Sequence, residues 1–397
     1  MIKEQPTQAL KDQAVKPKKF FNFSALQNTK LRSYAMLFAL IAIAIIFQIL
    51  TDGTFLKPRN FSILIRQMSI TGIITIGMVL LIISGNFDLS VGSLVALSGG
   101  VAAVMQVWFD ASTPVAILMG VIVGLIFGAW QGFWVAYRKL PSFIVTLGGM
   151  MMFRGIYLVM TDGITITPLN PSFTNLAQGF IPPNFGLAIS IAACLAFTVL
   201  SVRARISKRK LKIQVDSLPL LIAKIFFGNA IIIAMVIWMN RYLGIPLPVI
   251  VLLILALIFN FISTRTQFGR NLYSIGGNEE AARFSGVKVE KTIMSMFVLM
   301  GGLSAISGVF LTARLDGATA SAGTSFEMDA IAACVIGGTS LSGGQGSIFL
   351  AMIGALIMAS LDNGMSLMNT SFYFQHIVKG LVLIFAVWFD VSTNKKK

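Results

Sequence analysis

The sequence predicts an all-α polytopic transmembrane helical bundle, and three observations carry that prediction. Apolar runs of 17 or more residues recur from one end of the chain to the other, about the length a helix needs to cross the hydrocarbon core of a bilayer. Hydrophobic residues make up 56% of the chain and charged residues only 12%, whereas soluble domains average about 25% charged. The basic residues also gather in every second connecting segment, as the positive-inside bias requires.

Taken in order, residues 1–33 are polar and basic (Lys3, Lys11, Lys16, Lys18, Lys19, Lys30, Arg32) without apolar periodicity, and read as a tail. The run 34–50 is long for the apolar part of a signal peptide and no small-x-small cleavage site follows it, so it reads as a retained first span. Further spans are predicted at 62–84, 91–109, 114–136, 143–160, 186–202, 218–239, 248–263, 292–312, 327–341, 347–366 and 372–389, about twelve in all. The segment 327–341 is short and ends in glycines, which marks it as a candidate broken or re-entrant span. Residues 390–397 close the chain with three lysines.

Charge tests this layout. With the N-terminus in the cytoplasm, the inner segments are 1–33, 85–90, 137–142, 203–217, 264–291, 342–346 and 390–397, and they hold 23 of the 31 Lys and Arg. The outer loops carry only Lys57, Arg59, Arg241 and Arg314. That asymmetry accounts for the net charge of +16 without nucleic acid. Trp108, Trp134, Trp238 and Trp388 fall near predicted span ends, where amphipathic rings prefer to sit. An even number of spans puts both termini inside. The long outer loop 161–185 is either a docking surface for an external partner or a solvated connector. The basic loop 203–212 reads as a topology determinant that touches anionic lipid head groups.

Catalytic chemistry has little to stand on. The chain lacks G-x-x-x-x-G-K-[ST], metal-ligand spacing, a Ser/His/Asp set and a paired-carboxylate site. His376 is its one histidine, and Cys194 and Cys334 both lie in apolar stretches. No metal or cofactor is expected on the chain. Polar and glycine punctuation is more informative. GNFDLSVGS (85–93) and GGTSLSGGQGS (337–347) share a loose, glycine-led L-S-x-G core. Non-helical backbone at membrane depth survives only when buried in protein or lining a wet cavity, so the two are either parts of a transport pathway or tight turns at the cytoplasmic surface. Arg154, Asp362 and Lys379 are ionisable residues inside apolar runs, either functional or structural ion pairs. Gln131, Asn363 and Gln375 could hydrogen-bond a hydroxylated solute. Small residues in GVIVGLIFGAWQG and MGGLSAISG would allow close helix packing.

The stretch Tyr273–Lys291, YSIGGNEEAARFSGVKVEK, is a polar island between spans. Asn278 can act as N-cap, Glu279 and Glu280 place negative charge in the first turn, and Gly286 can take the left-handed C′ position. About two turns of helix are too short to stand alone in water. The element is either a docking helix held by its flanking spans or a capped loop joining them.

Four motifs in order, GNFDLSVGS with the following ALSGG, RKLPSFIVTLGGMMMFRGI, LYSIGGNEEAARFSGVKV and CVIGGTSLSGGQGS, together resemble the permease subunits of bacterial ABC importers for simple sugars of the ribose/galactose/xylose type. The likeness runs over roughly residues 60–390. Family members carry about ten spans, and the extra basic loop and span near 186–240 resemble the longer xylose-type members, giving ten core spans plus an extra pair.

The resemblance implies a homodimeric permease in the bacterial cytoplasmic membrane. A periplasmic sugar-binding protein would deliver a monosaccharide, D-xylose or a related pentose or hexose. A separate cytoplasmic ABC ATPase subunit would bind ATP and Mg, so this chain would not itself be an enzyme. It further implies a permease domain over 34–390 between basic cytoplasmic tails at 1–33 and 391–397, with 264–291 as the cytoplasmic coupling segment. Asn278, Glu279, Glu280, Ala281, Arg283 and Gly286 would then make or shape the ATPase contact. Asn86, Asp88, Ser90, Gly338 and Ser340 would lie near the translocation path. From other classes, an ion-gradient-driven secondary transporter or a membrane scaffold also fits the composition.

Overall fold

A computed structural model describes residues 29–211 and 217–394, with side chains described over 36–388 of these. The predicted basic tail through residue 28, the loop residues 212–216 and the final three lysines lie outside the described residues. The chain forms α1 (Thr29–Leu50), α2 (Pro58–Ile83), α3 (Val91–Val107), α4 (Thr113–Ala136), α5 (Ser142–Thr161), α6 (Pro171–Gln178), α7 (Pro183–Lys210), α8 (Leu218–Asn240), α9 (Leu247–Arg265), α10 (Gln267–Gly277), α11 (Glu279–Phe284), α12 (Val289–Leu315), α13 (Phe326–Ile336), α14 (Ile348–Leu367) and α15 (Phe372–Asn394). A two-residue ribbon pairs β1 (Phe180–Ile181) with β2 (Ile245–Pro246) antiparallel.

Each predicted span falls on a helix. Among the described residues, eight helices are long and apolar enough to cross a membrane: α2, α4, α5, α7, α8, α9, α12 and α14. Shorter apolar stretches occupy Met36–Leu50, Val91–Val107 and Phe372–Trp388. The eleven residues of α13 reach about 16 Å, roughly half a bilayer. The broken-helix reading of 327–341 therefore agrees with its length. The glycines that end it, Gly337 and Gly338, take the chain into a loop.

The bundle is built around α12, which packs on α4, α3 and α2, while α2 also packs on α14, α13 and α9. Burial follows position: 78% of the α2 apolar window is buried but only 6% of the α8 window. The α7–α8 pair touches mainly itself and hangs on the periphery, so its apolar faces can be covered only by lipid or another chain. The α4–α12 crossing shows why the small residues are there. A side chain at Gly124 would strike the Gly301 carbonyl, and one at Gly301 the Gly124 carbonyl. The two backbones touch because neither residue has a Cβ.

The loop 161–185 keeps most of its residues exposed but is anchored to the bundle along one face. Its α6 packs on α12 with Phe173 fully buried. Ile166 bridges to Ala318, the Thr167 hydroxyl donates to the Asp316 carbonyl at 2.7 Å, and Gln178 donates to the carbonyls of Ala313 and Arg314 at 3.3 Å. Proline and asparagine suggested an open loop, but Phe173 and Ala177 give one face of α6 an apolar anchor.

Candidate functional site

The polar island between α9 and α12 folds as two short helices. The Thr266 hydroxyl caps α10 by accepting from the Gly269 amide at 3.3 Å. Asn278 closes α10 and opens α11, its Oδ1 accepting from the Ala281 amide at 2.9 Å. Glu279 and Glu280 occupy the first turn, where the helix dipole favours negative charge. Gly286 has φ +82° and the Val287 amide returns to the Ala282 carbonyl at 3.1 Å, closing a Schellman motif. Both predicted caps are thus present.

Of the six α11 residues only Ala282 is buried. Glu279, Glu280, Ala281 and Arg283 face outward, and Phe284 is 91% exposed at the helix tip. Arg283 pairs with Glu290 at 2.6 Å and Glu279 at 3.1 Å, and Lys139 from the α4–α5 turn reaches Glu290 at 2.9 Å. The hydrogen bonds it donates to Glu290 and then Glu279 hold the Arg283 guanidinium above its ordinary pKa. Beside α11 lies an open groove of about 480 Å³, lined in part by Asn86, Lys139, Phe143, Ile275 and Glu279.

The inner side of this element is fastened to the glycine-rich loop 337–347. The Tyr273 hydroxyl donates to the Gly346 carbonyl at 2.9 Å, and the Gly344 amide donates to the Ile83 carbonyl at the end of α2, also at 2.9 Å. Gly276 sits directly against that Ile83 carbonyl and the Gly344 amide, leaving no room for a Cβ. The turn holding Gly338 and Ser340 follows α13: Ser340 receives the Gly343 amide at 3.0 Å and its hydroxyl lies 2.8 Å from that of Ser342. A displacement of α10–α11 therefore bears on the end of α2 and on the loop between α13 and α14 together.

The other glycine-led loop lies between α2 and α3. Asn86 donates to the Ser84 carbonyl at 3.3 Å and lines the groove beside α11. Asp88 and Ser90 are buried, the Asp88 carboxylate accepting from the Ser90 amide at 2.8 Å and hydroxyl at 2.6 Å. Gln131 of α4 then donates to the Ser90 hydroxyl at 2.7 Å. The loops containing Asp88 and Gly338 approach one another through Ile83, but no hydrogen bond joins Asp88 or Ser90 to Gly338 or Ser340.

Of the ionisable residues within the apolar runs, Arg154 donates to the Ala320 and Ala322 carbonyls at 2.6 and 2.9 Å, tying α5 to the segment before α13. Asp362 and Lys379 do meet, at 2.8 Å, and Lys379 also holds Asp329 at 3.0 Å. Asp329 was not among the residues singled out from sequence. Its signal was a carboxylate in the apolar run FEMDAIAACVI, about one turn into α13. Asn363 is paired with Asn60 at 2.7 Å, and Gln375 donates to the Thr370 carbonyl at 3.0 Å.

Next to the Lys379 cluster is a cavity of about 150 Å³ between α2, α12, α13 and α14. Gln67, Thr71, Thr75, Arg314, Asp329 and Asp362 give it a polar lining, and Ile70, Phe326 and Met358 an apolar one. No cluster of His, Cys, Asp and Glu among the described residues is arranged to hold a metal ion.

Comparison with known proteins agrees with this architecture. Residues 60–387 match the family model described as the permease component of a branched-chain amino acid transport system. A xylose transport system permease protein of Haemophilus influenzae is 47% identical over 371 residues, covering 94% of this chain and 99% of that protein. The xylose transport system permease protein of Escherichia coli K12 is 46% identical over 94% of this chain and 95% of its own length. A ribose import permease protein of Bacillus subtilis is 36% identical over 91% of this chain and 92% of its own. No solved structure matches. With the family model spanning most of the bundle and relatives aligned over nearly the whole chain, this integral membrane protein belongs to the family of transport-system permease components.

Proposed function

We propose that the chain is the membrane permease subunit of an ATP-driven sugar importer and carries a pentose, D-xylose or a close relative. The observation that carries this reading is the near full-length identity to xylose transport permeases, a stronger guide to substrate than the broader family description. ATP and Mg bind a separate cytoplasmic ABC ATPase, and a periplasmic binding protein supplies the sugar. Two permease copies pair in the bacterial inner membrane. Each crosses with about twelve segments, ten core and the α7–α8 pair, and both termini lie in the cytoplasm, in keeping with the basic asymmetry of the loops.

In this reading residues 34–390 form the permease domain, flanked by basic cytoplasmic tails at 1–33 and 391–397, and 264–291 is the segment that meets the ATPase. Asn278 and Gly286 fix the shape of α11, while Glu279, Glu280, Ala281 and Arg283 present its contact surface. Movement of α11 on ATPase closure passes through Tyr273 and Gly276 to Gly346, Gly344 and Ile83. That contact works the inner gate, with Asn86, Asp88, Ser90, Gly338 and Ser340 around it. The arrangement supports a gate driven from outside the chain, since the ends of α2 and α13 are joined to α10–α11 by only a few hydrogen bonds.

The test is reconstitution in proteoliposomes with the partner ATPase and binding protein. Xylose should accumulate only with all components and ATP. Concentrative uptake by the permease alone under a proton or sodium gradient would replace this reading with a secondary transporter.

A further inference from the structure

We propose that the cavity bounded by Gln67, Thr71, Arg314, Asp329 and Asp362 is a binding subsite for one neutral monosaccharide within the permease, so that the chain takes part in choosing its substrate. The proposal rests on the sugar-importer reading and adds a site to it.

Three observations converge on this cavity. Gln67 Oε1, Asp329 Oδ1 and Asp362 Oδ1 are buried acceptors without a donor among the described residues, and all three residues line the same space from three different helices. Asp329 is only 4% exposed. Buried polar groups are normally paired, because leaving one unmade costs about 1–3 kcal/mol. A set of orphan acceptors around one cavity therefore calls for a ligand rich in hydroxyl donors.

Charge is the second observation. Lys379 bridges the other oxygens of the two carboxylates, and Arg314 faces the same space. Two negative and two positive groups leave no net charge for an ionic ligand to neutralise. The third is shape. At about 150 Å³ the cavity is several times the ~30 Å³ a water molecule occupies in the liquid, and Ile70, Phe326 and Met358 supply an apolar wall. A pyranose has the matching character, with hydroxyls on its rim and C–H groups on its faces. Its hydroxyls would donate to the three acceptors, while the Arg314 guanidinium donates to a sugar oxygen.

The experiment uses the reconstituted importer with saturating, sugar-loaded binding protein. Gln67→Leu and Asp329→Asn keep side-chain size and remove an acceptor each. Each should lower xylose uptake about 10-fold, the equivalent of one lost hydrogen bond to a charged or buried group, while the binding protein still stimulates the ATPase. In parallel, Thr71→Cys in a Cys194→Ser, Cys334→Ala background should be alkylated by a maleimide, and xylose should slow the labelling where leucine does not. Unchanged uptake and sugar preference in both acceptor variants overturns the subsite and leaves the importer reading standing. Protection by leucine and not by xylose overturns it in favour of an amino-acid ligand. A wild-type complex that imports no pentose or hexose removes the importer reading, and the subsite with it.

Discussion

Two clusters of four charges invite comparison because they are made of the same groups in opposite surroundings. At α11, Arg283 and Lys139 meet Glu279 and Glu290 with 51%, 50%, 44% and 28% of the Lys139, Glu279, Arg283 and Glu290 side chains exposed. Toward the other end of the bundle, Lys379 holds Asp329 and Asp362 with exposures of 16%, 4% and 29%, and Arg314 faces the same cavity. Ion pairs in water gain little because solvent and salt screen them. The same pair within the bundle cannot lose one member without leaving a bare charge. The exposed cluster is therefore suited to setting the shape and polarity of a docking surface that can be remade with a partner. The buried cluster is suited to locking α13 and α14 to α15.

The sharpest break in that contrast is Lys379→Met. It strands two carboxylates beside each other, and removing one member of a buried pair typically costs about 3–5 kcal/mol. The expected outcome is poor extraction and a broad, early thermal transition in detergent. Adding Asp329→Asn and Asp362→Asn to Lys379→Met should restore a monodisperse protein. Next in size is Gly124→Val, which pushes a branched side chain into the Gly301 carbonyl at the α4–α12 crossing. Overpacking of this kind costs about 1–3 kcal/mol, read as a lowered thermal midpoint that does not depend on salt.

What the sequence made legible follows the same divide. Spans were visible because each needs a long apolar run, and the caps of α11 because Asn278 and Gly286 occupy positions where few residue types serve. The packing of α6 was hidden, since Phe173, Leu176 and Ala177 give helical spacing over little more than one turn, too short a stretch to establish a period. Lys379 and Asp362 stood out as charges in apolar sequence, but Asp329, 33 residues before Asp362, had no local mark of its partnership. Asn363 looked like a solute ligand and turned out to pair with Asn60, while Gln131 donates its amide to Ser90 and keeps an unpartnered buried oxygen. Which polar residue faces a cavity and which faces a neighbouring helix is decided by tertiary packing, and no spacing rule within one segment carries it.

Smaller in stability, and larger in transport, is the effect expected at the caps. Asn278→Ala removes the acceptor for the Ala281 amide and should cost about 1 kcal/mol, confined to α11. Gly286→Pro takes away the φ of +82° that the Schellman turn needs. Both proteins should extract normally, yet show reduced ATP-dependent xylose uptake with the ATPase running uncoupled. Wild-type uptake in both would detach α11 from the coupling role.

The smallest expected change in stability is also the most direct comparison of the two clusters. Arg283→Gln deletes the centre of the exposed network, in a region where no side chain of α11 but Ala282 is buried. Its thermal midpoint should match wild type within error, and added salt should leave both proteins alike, because the pair was already screened. Since Glu290 and Glu279 raise the Arg283 pKa and Arg283 lowers that of Glu290, the pair's contribution is complete between the ordinary glutamate and arginine values, and is lost only in acid as Glu290 protonates or as pH rises through the raised arginine value. No pH change near neutrality should therefore imitate the substitution. Uptake should fall nonetheless, and Glu280→Arg, which touches no ion pair among the described residues, should lower it too. If Arg283→Gln instead destabilised the protein as much as Lys379→Met, exposure would not be what separates the clusters, and α11 would have to be counted as part of the structural frame and not as a surface held ready for a partner.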